Sequence, residues 1–101
     1  MANKVAIVTG GGRGIGRAIA EAFARDGAEV IVTAARQKRE IEDVASRIGG
    51  AAVLVDVSNK DAVQKLVDSV VSDFRGIDVL VNNAARGMRF VNESSMTEPM
   101  P

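Results

Sequence analysis

Residues Thr9 to Gly16 read Thr-Gly-Gly-Gly-Arg-Gly-Ile-Gly, and this is the stretch whose residue types are best suited to holding a ligand. Glycines admit left-handed backbone and let a bound group come close to the main chain. An apolar run, Val5 to Val8, leads in, and apolar residues at helical spacing lead out. The stretch therefore predicts a strand, a tight turn and a helix N-terminus. At such a terminus free N–H groups and the positive end of the helix dipole converge, and a phosphate is the natural occupant. The spacing Gly-x-Gly-x-x-Gly does not occur in this register. What stands here is Thr9-Gly10-x-x-x-Gly14-x-Gly16, with Gly12, Arg13 and Ile15 between.

Three more positions bear on the same chemistry. In dinucleotide-binding folds an acidic side chain about 20 residues past the glycines holds a ribose 2′-hydroxyl. This chain has Ala34, Ala35 and Arg36 there. A guanidinium suits a 2′-phosphate through charge-assisted hydrogen bonds, so the residues favour NADP(H), with NAD(H) the weaker ligand. Lys38 and Arg39 stand close enough to serve in place of Arg36. Asp56 offers a carboxylate that can accept from an exocyclic amine, or one that merely favours the start of a helix. Asn82 and Asn83 form a polar turn after an apolar run.

The elements needed to position these residues follow from periodicity. Ile15, Ala18, Ile19, Ala22 and Phe23 form one stripe of a first helix ending near Asp26 and Gly27. A second strand is expected over Glu29 to Thr33, then a helix with the stripe Ile41, Val44, Ala45 and Ile48, closed by Gly49 and Gly50. Ala51 to Val55 reads as the third strand. Ser58 and Asp61 suggest a capping-box start to a third helix bearing Val63, Leu66, Val67, Val70, Val71 and Phe74, with Gly76 as its stop. Ile77 to Val81 is the fourth strand. Strands alternating with helices imply an α/β fold, a partial Rossmann-type parallel sheet of four strands in the order 3-2-1-4 with three helices. Residues 1–85 would form the dinucleotide-binding half. From Arg86 to Pro101 no period is sustained, which reads as an irregular tail.

Taken together, the turn from Thr9 to Gly16, Asp56-Val57 after the third strand and Asn82-Asn83-Ala84-Ala85 after the fourth resemble the coenzyme-binding N-terminal part of the short-chain dehydrogenase/reductase family. The resemblance covers residues 1–85. It implies that Thr9, Gly10, Gly12, Arg13, Gly14, Ile15 and Gly16 surround the coenzyme, and that Arg13 holds the place where NADP-preferring members often carry a basic residue. It further implies that Asp56 meets the adenine amino group with Val57 beside the ring, and that Asn82 and Ala84 border the coenzyme ribose. The family usually has Gly where this chain has Ala85. Carbonyl or alcohol chemistry in the family uses a Ser, a Tyr and a Lys four residues after the Tyr. This chain contains no Tyr, so that pair is not in it, and no catalytic residue is assigned. The expectation is an oxidoreductase part that is inactive alone; the alternative is a stand-alone dinucleotide-binding or regulatory module without redox chemistry.

Composition narrows the partners. The 13 basic and 13 acidic residues cancel, so no charge excess recruits nucleic acid or an anionic membrane. With no Cys and no His, disulfides, thiolate metal sites and the usual neutral-pH acid/base residue are all excluded. No apolar run approaches the roughly 20 residues that span a bilayer, and no targeting pattern precedes the glycines. A soluble, cytoplasmic protein is expected. A sheet of this order with only three helices leaves apolar surface near Val79 to Val81 uncovered, which favours self-association.

Overall fold

Val5–Thr9 (β1) is buried along its whole length, as a central strand covered on both faces must be. In the computed structural model, which describes residues 2–83, it is followed by α1 (Gly14–Arg25), β2 (Glu29–Ala34), α2 (Lys38–Ile48), β3 (Ala51–Leu54), α3 (Lys60–Phe74) and β4 (Val79–Asn82). The four strands form one sheet in the order β3-β2-β1-β4, every pair parallel. This is the partial Rossmann-type arrangement that the alternation predicts.

Side chains alternate across the sheet with a period of two, and each set finds its own helices. Val8, Val30 and Val32 pack with Ala20 of α1 and Ile41, Val44 and Ala45 of α2. Val5, Ile7 and Ile31 face the other way, against Val55 and the α3 residues Leu66 and Val70. The β1–β4 pair is tied at both ends. At the bottom Val5 N–H donates to Asp78 Oδ2 at 2.8 Å, and Asp78 N–H donates to the Val5 carbonyl at 2.9 Å. At the top the tie is made by Thr9 and Asn83.

Three local expectations are corrected. The buried stripe of α1 is Gly16 and Ala20 flanked by Ile19, Phe23 and Ala24, about one residue round from the predicted one. Ile15, Ala18 and Ala22 face outward, because the helix turns its smallest residue, Gly16, onto the Gly10 carbonyl, where a Cβ would overlap it. The cap of α3 is Asn59, whose Oδ1 accepts from Ala62 N–H at 3.0 Å; Ser58 instead donates its N–H and its hydroxyl to Asp56. At the other end of α3 the left-handed residue is Arg75, at φ 74°, one position before the expected Gly76.

Candidate functional site

The C-terminal ends of all four strands lie on one edge of the sheet, and every predicted site residue among those described is found there. Between β1 and β4 the chain diverges, since β2 and β3 lie to one side of β1 and β4 to the other; ligands of open α/β sheets bind at such a switch point. Ala84 lies outside the described residues, as does the tail expected from Arg86 onward.

The loop from Gly10 to Arg13 is fastened to the end of β2 and to Asn83. Gly10 and Gly11 N–H groups donate to the Thr33 carbonyl at the end of β2, at 2.8 and 3.3 Å. Asn83 Nδ2 donates to the Gly10 carbonyl at 3.3 Å. Thr9, buried behind the loop, accepts from Asn83 N–H at 2.8 Å, and its single proton lies between the Val81 carbonyl at 3.2 Å and Asn82 Oδ1 at 3.3 Å. Thr9 and Asn82 thus set the height of β4 against the loop. Asn83 is a positioning residue: the sequence marks it as part of the Asn82-Asn83 turn, and its bonds to Thr9 and Gly10 give that turn its role.

The start of α1 is built to receive negative charge. The first N–H groups of any helix lack intrahelical partners. In α3 a side chain caps them, whereas the α1 N-cap, Arg13, supplies no side-chain hydrogen bond and the first turn holds no acidic residue. Gly14 sits at φ 62°, a left-handed conformation that disfavours other residues, and a Cβ there would meet nothing within 4 Å. Arg13 and Gly14 are both exposed, so the start of the helix is accessible. Ile15, 72% exposed, stands beside them as an apolar contact surface.

A cleft of about 330 Å³ adjoins this loop, lined by Gly10, Gly12, Arg13, Ala34, Ala35, Arg36, Gln37 and Glu40. It brings Arg13 and Arg36 together from separate elements. Arg36 forms no ion pair among the described residues, while Arg13 Nε lies 3.7 Å from Glu40 Oε1. Glu40 was missed in the sequence, because a Glu in a first helical turn ordinarily needs no explanation beyond the dipole. Asp56 and Val57 do not line this cleft. They follow β3, where Asp56 Oδ1 accepts from Ser58 N–H at 2.9 Å and from the Ser58 hydroxyl at 2.7 Å. Val57 is 40% exposed beside it.

A sequence model of the family described as short chain dehydrogenase matches residues 4–100. The chain belongs to the short chain dehydrogenase family. Membership implies a nicotinamide dinucleotide coenzyme, and the uncapped α1 terminus with its open glycine loop fits the pyrophosphate of one. Among curated relatives, 3-oxoacyl-[acyl-carrier-protein] reductase of Haemophilus influenzae is 43% identical over 86 residues, covering 83% of this chain and 35% of that protein. A short chain dehydrogenase structure from Bacillus anthracis superposes with a TM-score of 0.78 at 38% identity, covering 83% of this chain and 36% of that one. A structure described as ribose-5-phosphate isomerase from Brucella melitensis matches equally well, with a TM-score of 0.78 and 38% identity over 84% of this chain and 33% of that one. The chain spans about a third of the length of these relatives. Likeness to proteins named for different reactions is consistent with a shared fold hosting different chemistries. Among the described residues no helix is long and apolar enough to cross a membrane.

Proposed function

We propose that this chain is the NADP(H)-binding part of a short chain dehydrogenase-type oxidoreductase. The observation that carries the reading is the cleft beside the glycine loop, which both Arg13 and Arg36 line and where β2 ends at Ala34, followed by Ala35, with no acidic side chain at the strand end. Main-chain N–H groups of Gly14 to Gly16 would hold the pyrophosphate, and the two guanidiniums the 2′-phosphate. The exposed Asp56 carboxylate would accept from the adenine amine, with Val57 and Ile15 as apolar contacts and Asn82 near the ribose. When bound, the coenzyme supplies the hydride; the protein supplies binding, orientation and electrostatics.

With no Tyr in the sequence, the Tyr-x-x-x-Lys pair of the family is not in this chain, and on its own it reduces no carbonyl substrate. Activity of the 101-residue chain with any carbonyl substrate would remove that statement. Self-association of the chain is supported by Leu80, which is 64% exposed on β4, a strand with one neighbour among the described residues.

The test is calorimetric titration of NADP⁺ and NAD⁺ into the chain. NADP⁺ binds more tightly, and Arg13→Ala or Arg36→Ala weakens it about tenfold while moving NAD⁺ by less than about twofold. Equal or tighter NAD⁺ binding by the unaltered chain would refute the preference.

A further inference from the structure

The cleft that gathers the two arginines also contains a carboxylate, and its placement is not that of an ordinary helix-surface acid. The other paired acids of α2 lie along their own helix: Glu42 meets Lys38 at 3.8 Å and Asp43 meets Arg47 at 3.3 Å, both four residues apart. Glu40 has Val44 four residues on, so its helix provides no basic partner in that direction. It reaches instead across to the glycine loop, where its Oε1 lies 3.7 Å from Arg13 Nε. The loop is shaped to admit it. A Cβ on Gly12 would stand 3.1 Å from the Glu40 Cβ and 3.3 Å from its Oε1, so a side chain at position 12 would crowd the carboxylate.

The arrangement places a negative charge among the groups that would receive a 2′-phosphate. An exposed ion pair of this length is a weak, exchangeable contact, readily replaced by a stronger anion. A phosphate approaching Arg13 must displace Glu40 from it and then remain near a like charge. A ligand with a plain 2′-hydroxyl meets neither cost.

The geometry points to Glu40 as a built-in counter-anion that competes with the 2′-phosphate for Arg13 and so sets how strongly the cleft discriminates between the two coenzymes. This inference rests on the reading that the cleft takes the 2′-phosphate. Glu40 holds NADP affinity below what two arginines alone would provide, and its effect is routed through one named partner.

The experiment is a double-mutant cycle on the full 101-residue chain, with NADP⁺ and NAD⁺ titrated into the unaltered protein, Glu40→Gln, Arg13→Ala and the double variant. Far-UV circular dichroism checks each fold, and Glu40→Ala repeats the carboxylate removal with a strong helix former. Glu40→Gln tightens NADP⁺ about fivefold, the size of one exposed charge interaction, and leaves NAD⁺ within about twofold. In the Arg13→Ala background the gain falls below about twofold. If the unaltered chain prefers NADP⁺ but neither Glu40 variant tightens it, the counter-anion role is overturned and the coenzyme preference stands. If the unaltered chain shows no preference while Glu40→Gln creates one, the role stands and the stated preference of the unaltered chain is lost. Selective weakening of NAD⁺ by Glu40→Gln would make the carboxylate a 2′-hydroxyl acceptor and overturn the role. Binding of neither dinucleotide by any of the proteins overturns both.

Discussion

Replacing Gly16 by Ala adds one methyl group at the tightest point between the glycine loop and α1. Its Cβ would overlap the Gly10 carbonyl oxygen and come within 2.9 Å of the Gly10 carbonyl carbon and 2.6 Å of Asn83 Nδ2. The amide of Asn83 is a side chain and can swing away, at the loss of its 3.3 Å hydrogen bond to Gly10, about 1 kcal/mol. The peptide that carries the Gly10 carbonyl has less room, because its own N–H, that of Gly11, donates to the Thr33 carbonyl at 3.3 Å, and the Gly10 N–H before it donates to the same oxygen at 2.8 Å. Forcing a methyl into such a contact costs about 1–3 kcal/mol. The sum is about 2–4 kcal/mol, a large part of the roughly 5–15 kcal/mol typical of a small domain. Urea unfolding followed by circular dichroism measures it, as a fall in midpoint at unchanged slope. The control is Gly14→Ala, where the added methyl meets nothing and only the φ of 62° is penalised, by about 1 kcal/mol. Dinucleotide affinity should fall with Gly16→Ala as well, since the N–H groups it displaces are those proposed to hold the pyrophosphate. A Gly16→Ala chain as stable as the parent, or less destabilised than Gly14→Ala, would refute the claim that loop and helix are in closest contact here.

Other substitutions test the frame that carries the site. Thr9 and Thr33 are register partners on adjacent strands, yet their hydroxyls differ: the first ties β1 to β4, while the second is buried with no hydrogen-bond partner among the described residues. Thr9→Val should destabilise by about 1–3 kcal/mol through the stranded Asn83 N–H, and Thr33→Val should be neutral or stabilising by up to about 1 kcal/mol; thermal melts of the pair give the contrast directly. Asn59→Ala removes the α3 cap and should cost about 1 kcal/mol in urea unfolding, whereas Ser58→Ala should cost less, the reverse of what a Ser58 cap requires. Arg75→Gly relieves a left-handed non-glycine residue at the end of α3 and should raise stability by about 0.5–1 kcal/mol, read as a gain of several degrees in melting temperature.

The order of strands and helices was legible because each element carries its own period. β1 and β2 are nearly continuous apolar runs, as strands covered on both faces require, and the α2 stripe of Ile41, Val44 and Ala45 is the one found buried. Right-handed crossovers between parallel strands then leave few arrangements open, and the observed order β3-β2-β1-β4 is the one expected of a dinucleotide-binding sheet. The strand, turn and helix start around Thr9 to Gly16 were equally local, since they depend on glycine's backbone freedom and on the apolar spacing on either side; the phosphate proposed there follows from the same residues.

Contacts between distant elements belong to a different class. Hydrophobicity gave Ile15 a place on the buried face of α1, yet packing turned that face toward Gly16, because closest approach is decided by the residue with no side chain to displace. Ser58, Asn59 and Asp61 are all plausible helix-start residues by type, and only the backbone path after β3 selects Asn59. The Arg13–Glu40 pair joins a turn to a helix 27 positions away, and the Thr9–Asn83 bond joins residues 74 apart. Neighbours along the chain carry the information for periodicity and capping; which charges and amides share a cleft depends on how strands and helices stack, and that is settled only when the sheet is assembled.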